Sequence, residues 1–257
     1  MSPRTSEPHL PKQAVAALVL MGAVVGAVFA VRAWRQEPPA SRTPAADEAD
    51  SAEAATELAK ARGDAERKDY RSALDHVERA IELRPDFVDA CLFKSELLFR
   101  LHRSDEMIPW LKRAIKLEPE RFEAHANLAF ALRYAGRLDD AEREVRWCLQ
   151  RKPRFVPALR IQAEIHRDRG NLQQAADELQ RALAIDPRDL DSGLLQANLL
   201  LYERKYEAAY GRLVPLLQRH RRNRRVLAAL ERAARMTGRA DEAARYRDRL
   251  MQSRPAN

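Results

Sequence analysis

Six histidines stand at positions 9, 76, 102, 125, 166 and 220, and no two of them have the close spacing of metal ligands. The two cysteines, Cys91 and Cys148, lie 57 residues apart, which suits neither a metal knuckle nor a disulfide framework. No glycine-rich phosphate loop, no H-E-x-x-H and no G-x-S-x-G occurs. Carboxylates are abundant but spread as on solvated helix faces. What remains able to do chemistry is a set of arginines, which give charge-assisted hydrogen bonds, and a few aromatic rings, which give flat apolar area. That chemistry is recognition. The chain is expected to be no enzyme and to use no cofactor or metal.

Charge is unevenly placed. Residues 188–257 hold 16 Lys+Arg against 8 Asp+Glu, an excess that equals the net charge of +8 of the whole chain. It centres on Arg219, His220, Arg221, Arg222, Asn223, Arg224 and Arg225. Such a run is read as a solvated connection, as a contact for anionic lipid head groups, or as a nucleic-acid site. No aromatic residues interleave the arginines, so nucleic acid is not the expected partner.

The elements that must position these groups are set by a repeat. Pro85, Pro119, Pro153 and Pro187 fall 34 residues apart, and Pro255 keeps the count after one missed beat at Arg221. Small residues recur at fixed offsets. Ala61, Ser95, Ala129, Ala163 and Ala197 hold one position, with Glu231 sixth; Ala73, Met107, Ala141, Ala175, Ala209 and Ala243 hold a second. Ala80, Ala114, Cys148, Ala182, Leu216 and Leu250 hold a third, which places Cys148 where a small buried side chain is expected. Six units follow, 52–85, 86–119, 120–153, 154–187, 188–221 and 222–255, each of two helices around a break. Gly136, Gly170 and Gly238 occupy the break, where a helix ends and positive φ is cheap. Lys68, His102 and Arg204 replace glycine there, so those turns should be tighter or less regular. Pro109 and Pro215 fall inside second helices and should bend them or delay their start. The first helix, with Glu57, Lys60 and Asp64, and the last, with Arg245, Arg247, Asp248 and Arg249, read as polar caps.

The 34-residue helical pair with three small positions and a closing proline resembles the tetratricopeptide repeat over residues 52–255. The resemblance implies an all-α solenoid of about six repeats in which first helices line a concave surface where peptides lie. Residues 34 apart then become neighbours: Glu96, Phe130, Glu164 and Asn198 in one row; Arg133, Arg167 and Leu201 in the next; Tyr134, Asp168 and Tyr202 in a third. The expected binding residues are Asn127, Phe130, Arg133, Tyr134, Arg160, Glu164, Arg167, Asn198 and Tyr202, facing a peptide with acidic and apolar groups. Some family members grip a terminal carboxylate with lysines, asparagines and arginine on three first helices. The best window here supplies Leu58, Arg62, Phe93, Glu123 and Asn127, so that clamp is not expected.

Ahead of the array, residues 1–13 form a polar tail. Ala14 to Val31 is an uncharged, mostly apolar run, and at about 1.5 Å per residue it nearly crosses a hydrocarbon core of about 30 Å. With Arg32, Trp34 and Arg35 at its end, 14–34 reads as a single transmembrane anchor; a cleaved leader ending near Ala30 is the competing reading. Gly22 and Gly26 make a G-x-x-x-G step through which two such helices could pair as a homodimer. Residues 35–51, rich in proline and alanine, read as a spacer. Flanking charges favour neither orientation clearly, and the short tail places the repeats outside the cytoplasm. The expected function is a membrane-anchored scaffold that binds a protein partner, in envelope assembly or cytochrome maturation. A secreted repeat module and a regulatory subunit that positions a separate enzyme are the alternatives.

Overall fold

A computed structural model describes residues 44–253. The expected tail 1–13, the anchor 14–34 and its Gly22–Gly26 step lie outside the described residues. Among the described residues no helix is long and apolar enough to cross a membrane. Twelve α-helices are described: α1 (Pro44–Glu66), α2 (Tyr70–Leu83), α3 (Val88–Arg100), α4 (Met107–Leu117), α5 (Phe122–Tyr134) and α6 (Leu138–Arg151), then α7 (Val156–Asp168), α8 (Leu172–Ile185), α9 (Leu190–Tyr202), α10 (Tyr206–Arg219), α11 (Arg224–Met236) and α12 (Ala240–Gln252). Helix α1 takes in residues 44–51 of the expected spacer. Among the described residues, 54–253 form one compact unit, and 44–53 fall outside it.

The proline count governs the helices. First helices α3, α5, α7, α9 and α11 begin at Val88, Phe122, Val156, Leu190 and Arg224 and end at Arg100, Tyr134, Asp168, Tyr202 and Met236, so each boundary recurs at the full repeat interval. Second helices keep the same beat with two exceptions, of which one is that α12 ends a residue early at Gln252. Helix α4 starts three residues late, at Met107, after a 3-10 turn over Ser104–Glu106. Pro109 has no N–H for the carbonyl of Asp105 and its ring crowds that carbonyl, so the first turn cannot be α-helical. Helix α10 runs on through Pro215 to Arg219.

The repeat's small positions are buried where helices cross, except at Glu231 and Leu250 in the sixth unit. Ala61, Ala129, Ala163 and Ala197 are 0% exposed, as are Ala73, Ala141 and Ala209. An alanine at such a crossing lets axes approach to about 8–10 Å at no rotamer cost. Leucines fill the rest, and Leu97, Leu111, Leu159, Leu179, Leu213 and Leu230 are fully enclosed. First helices are buried on several sides: α5 encloses Ala124, His125, Ala126, Leu128, Ala129, Ala131 and Leu132. Second helices are covered on one stripe only, and α6 buries Ala141, Val145 and Cys148, four and seven residues apart. In the last helix only Ala243 is buried, as expected for a solvent-facing end. In the sixth unit Glu231, at the small-residue position, reaches Arg247 of α12 at 3.1 Å.

Two expectations are corrected. Lys68, His102 and Arg204 adopt φ of 65°, 59° and 60°, the conformation of Gly136, Gly170 and Gly238 at 74°, 81° and 76°. All six turns make the same pair of backbone bonds, as in Gly136 N to Arg133 O with Arg137 N to Leu132 O, and His102 N to Phe99 O with Arg103 N to Leu98 O. These turns are as regular as the glycine ones, because two hydrogen bonds fix the backbone whatever the side chain. Glu57 and Asp64 do not face solvent either: they are 6% and 8% exposed and point at α2, where His76 and Arg79 meet them.

Candidate functional site

The first helices form a wall of their own. Helix α5 packs directly on α7, and α9 on α11, whereas no second helix packs comparably on another second helix. At these two steps the first helices stand closer together than the second helices do. The expected binding residues all lie on these elements: Asn127, Phe130, Arg133 and Tyr134 on α5; Arg160, Glu164 and Arg167 on α7; Asn198 and Tyr202 on α9.

The structure divides them into two groups. Arg133 is only 12% exposed, and it lies 2.9 Å from Glu164 and 2.6 Å from Asp168. Its guanidinium also lies 5.5 Å from the Phe130 ring. Arg160 reaches forward in the same way, to Asp189 at 3.7 Å and Asp191 at 3.3 Å on the next helix pair. Arg133, Glu164 and Arg160 are thus engaged between neighbouring repeats. Phe130 is partly buried against Phe99 of α3, ring edge to face at 5.0 Å, and Phe99 meets Tyr134 at 5.8 Å. Phe99 stands one repeat before Arg133 in the same row and could have been found by stepping that row back once.

The second group is open. Arg167, Asn198 and Tyr202 line a cleft of about 460 Å³ with Gly170, Leu172, Leu199 and Arg232. Arg232, on α11, is one further step along the row of Phe130, Glu164 and Asn198, and extending that row would have named it. Tyr202 is 73% exposed and Tyr134 56%. Asn127 is exposed on α5, away from the lining of this cleft. Arg167 also holds Asp168 at 2.7 Å. Burial pushes the Asp168 carboxyl upward, but hydrogen bonds from Arg167 and Arg133 outweigh it and hold it below the usual range. The cleft therefore carries two guanidinium groups, one carboxamide and one phenol ring over an apolar floor. Such a surface takes hydrogen-bond acceptors, anionic groups above all, beside an apolar side chain.

The cysteines are equally clear. Cys91 and Cys148 are free and buried. Burial raises the Cys91 thiol and pushes that of Cys148 up to about 12, leaving neither a nucleophilic thiolate.

The profile of a protein family described as tetratricopeptide repeat matches residues 58–122 and 126–189, just over half of the chain. The remaining helix pairs, α9–α10 and α11–α12, repeat the same geometry beyond that match. No curated protein matches the chain. Among solved structures, PilW, a widely conserved type IV pilus biogenesis factor, is 19% identical at a TM-score of 0.62, over 77% of this chain and 92% of that one. PilF of Pseudomonas aeruginosa is 18% identical at 0.59, over 81% and 95%. A chain of the Cut9–Hcn1 hetero-tetramer of the APC/C is 14% identical at 0.65, over 80% and 40%. At these identities the likeness is one of fold.

Proposed function

This chain belongs to the tetratricopeptide repeat family, and on that premise we propose that it is a membrane-tethered scaffold that captures a partner segment in the cleft between α7, α9 and α11. Arrays of this family bind protein partners, and the chain is a non-enzymatic interaction scaffold of that kind. The finer reading is carried by one observation: Arg167, Asn198, Tyr202 and Arg232 come from three successive first helices to one open cleft, with no ion pair among the described residues consuming Arg232. A segment with acidic and apolar groups suits it.

Three further elements complete the proposal. Residues 14–34 hold the chain in a membrane as a single span, with the array outside the cytoplasm. Tethering raises the effective concentration of membrane-bound partners, so modest contacts suffice. The task is the assembly of an envelope machine; the support is the fold shared with PilW, a pilus biogenesis factor.

The test is the double variant Tyr202→Ala with Arg232→Glu. Both side chains are exposed, so helical content should be unchanged. Partner recovered with the chain from detergent-solubilised membranes should fall about tenfold or more, as for loss of two central contacts. Unchanged recovery would remove the cleft from the account. Mass spectrometry of the mature amino terminus tests the anchor separately: retention of residues 1–30 is expected, and cleavage near Ala30 would establish the secreted alternative.

A further inference from the structure

A second cavity, of about 780 Å³, is lined by Lys68, Arg221, Arg222, Arg224, Leu227, Arg249, Gln252 and Ser253. Its cations come from four places in the chain: the turn between α1 and α2, the loop between α10 and α11, the first residue of α11, and helix α12. Two of them are fixed by neutral partners. Arg224 donates to the carbonyl of Leu250 at 3.1 Å and to the Ser253 hydroxyl at 3.3 Å, and Arg249 donates to the carbonyl of Arg221 at 2.7 Å. No carboxylate among the described residues pairs with any of the five. Most arginines elsewhere differ: Arg121, Arg133, Arg137, Arg160, Arg169 and Arg239 each hold a carboxylate.

We propose that this cavity is a binding site for phosphoryl anions. Five cations held together without counter-charges repel one another, and an anion from solution relieves that repulsion. Guanidinium groups match phosphate oxygens two at a time. The volume exceeds what one carboxylate fills. The N-terminus of α11, capped by Asn223 through Arg225 N and Val226 N, adds its positive end beside Arg221, Arg222 and Arg224. The lining contains no aromatic ring, so nothing stacks on a nucleobase. A phosphodiester head group of an anionic lipid and a free diphosphate present the same chemistry.

The experiment is calorimetric titration of the full chain, in an uncharged detergent, with pyrophosphate and separately with glycerophosphoglycerol, the soluble head group of phosphatidylglycerol. Arg221→Gln with Arg222→Gln should weaken binding about tenfold or more. Arg154→Gln with Arg188→Gln removes the same charge from the loops one and two repeats earlier and should change it by less than about twofold. Binding of pyrophosphate assigns the site to free phosphates, and binding of glycerophosphoglycerol assigns it to lipid head groups. Binding of neither overturns the proposal, as does equal weakening in both variants, which would mark diffuse charge. A single-stranded oligonucleotide bound more tightly than either, and lost with Arg221 and Arg222, would overturn it in favour of a nucleic-acid site.

Discussion

Glu57 Oε2 lies 2.7 Å from His76 Nδ1 across the first helix pair, and two repeats later the same two positions hold the reverse pair, with His125 Nδ1 2.7 Å from Glu144 Oε2. The position on the first helix carries the carboxylate in one unit and the imidazole in the other. Each pair joins the two helices of one repeat. In the third unit His125 also meets the Pro119 carbonyl at 3.0 Å and stacks on Trp147, ring centres 3.7 Å apart. In the first, Lys60 at 2.6 Å and Arg79 at 3.0 Å complete the shell around Glu57.

That shell has a measurable consequence. Hydrogen bonds from His76, Lys60 and Arg79, in which the His76 bond is largest, lower the Glu57 carboxyl from 4.5 to about 2 against the opposing effect of burial. A carboxyl depressed on folding contributes stability that is present above pH 4.5 and is lost as pH falls toward 2. Glu57→Gln should therefore flatten the acid side of the melting-temperature profile in that window and cost about 1–3 kcal/mol at neutral pH. Circular-dichroism melts across the window check this. An acid slope identical to that of the parent chain would refute it.

The left-handed turns predict stabilising changes. A side chain at positive φ costs about 1–2 kcal/mol that glycine avoids, part of which returns as the greater entropy of unfolded glycine. His102→Gly and Arg204→Gly should each raise stability by a few tenths to about 1 kcal/mol. Gly136→Ala should lower it by a similar amount although nothing lies within 4 Å of the added carbon. Urea unfolding midpoints measure all three, and a destabilised His102→Gly would show that the imidazole, rather than the backbone bonds, fixes the turn.

Arg133 should behave as a fastener between repeats. Removing its side chain leaves Glu164 without a cation and Asp168 with Arg167 alone, and Arg133→Ala should cost about 1–3 kcal/mol. A double-mutant cycle with Glu164→Gln should show coupling of about 0.5 kcal/mol or more. Additive single effects would contradict the bridge.

Both thiols should be silent in the native chain. Ellman's reagent should label neither Cys91 nor Cys148 until urea unfolds the array, because both are 0% exposed and neither forms thiolate near neutrality. Rapid native labelling would show that the helix pairs open far more readily than their packing implies.

Much of the fold was legible because its rules are local and repeated. Alanine at a crossing, proline after a second helix and glycine in a turn each act within a few residues, and six copies agree. What escaped the sequence depends on partners from elsewhere in the chain. Arg133 and Glu164 stand in the rows where binding groups were expected, and Arg160 was expected beside them, but spacing reveals that residues are neighbours and not that they satisfy one another. Arg232 and Phe99 were within reach of the same rows, extended one repeat forward and one back. Glu57 and Asp64 looked like a solvated cap because their own helix is polar; His76 and Arg79, which enclose them, lie on the next helix. The turn at His102 shows the reverse case, where a side chain was given weight that two backbone hydrogen bonds override.

The proposed site of a partner is the open cleft between α7, α9 and α11. A photo-crosslinking residue placed at Asn198, and in a second chain at Gln180 on the exposed side of α8, tests this directly in intact membranes. One discrete adduct is expected from position 198, lost with Tyr202→Ala and Arg232→Glu, and none from position 180. Equal adducts from both positions, or an adduct from 180 alone, would contradict it.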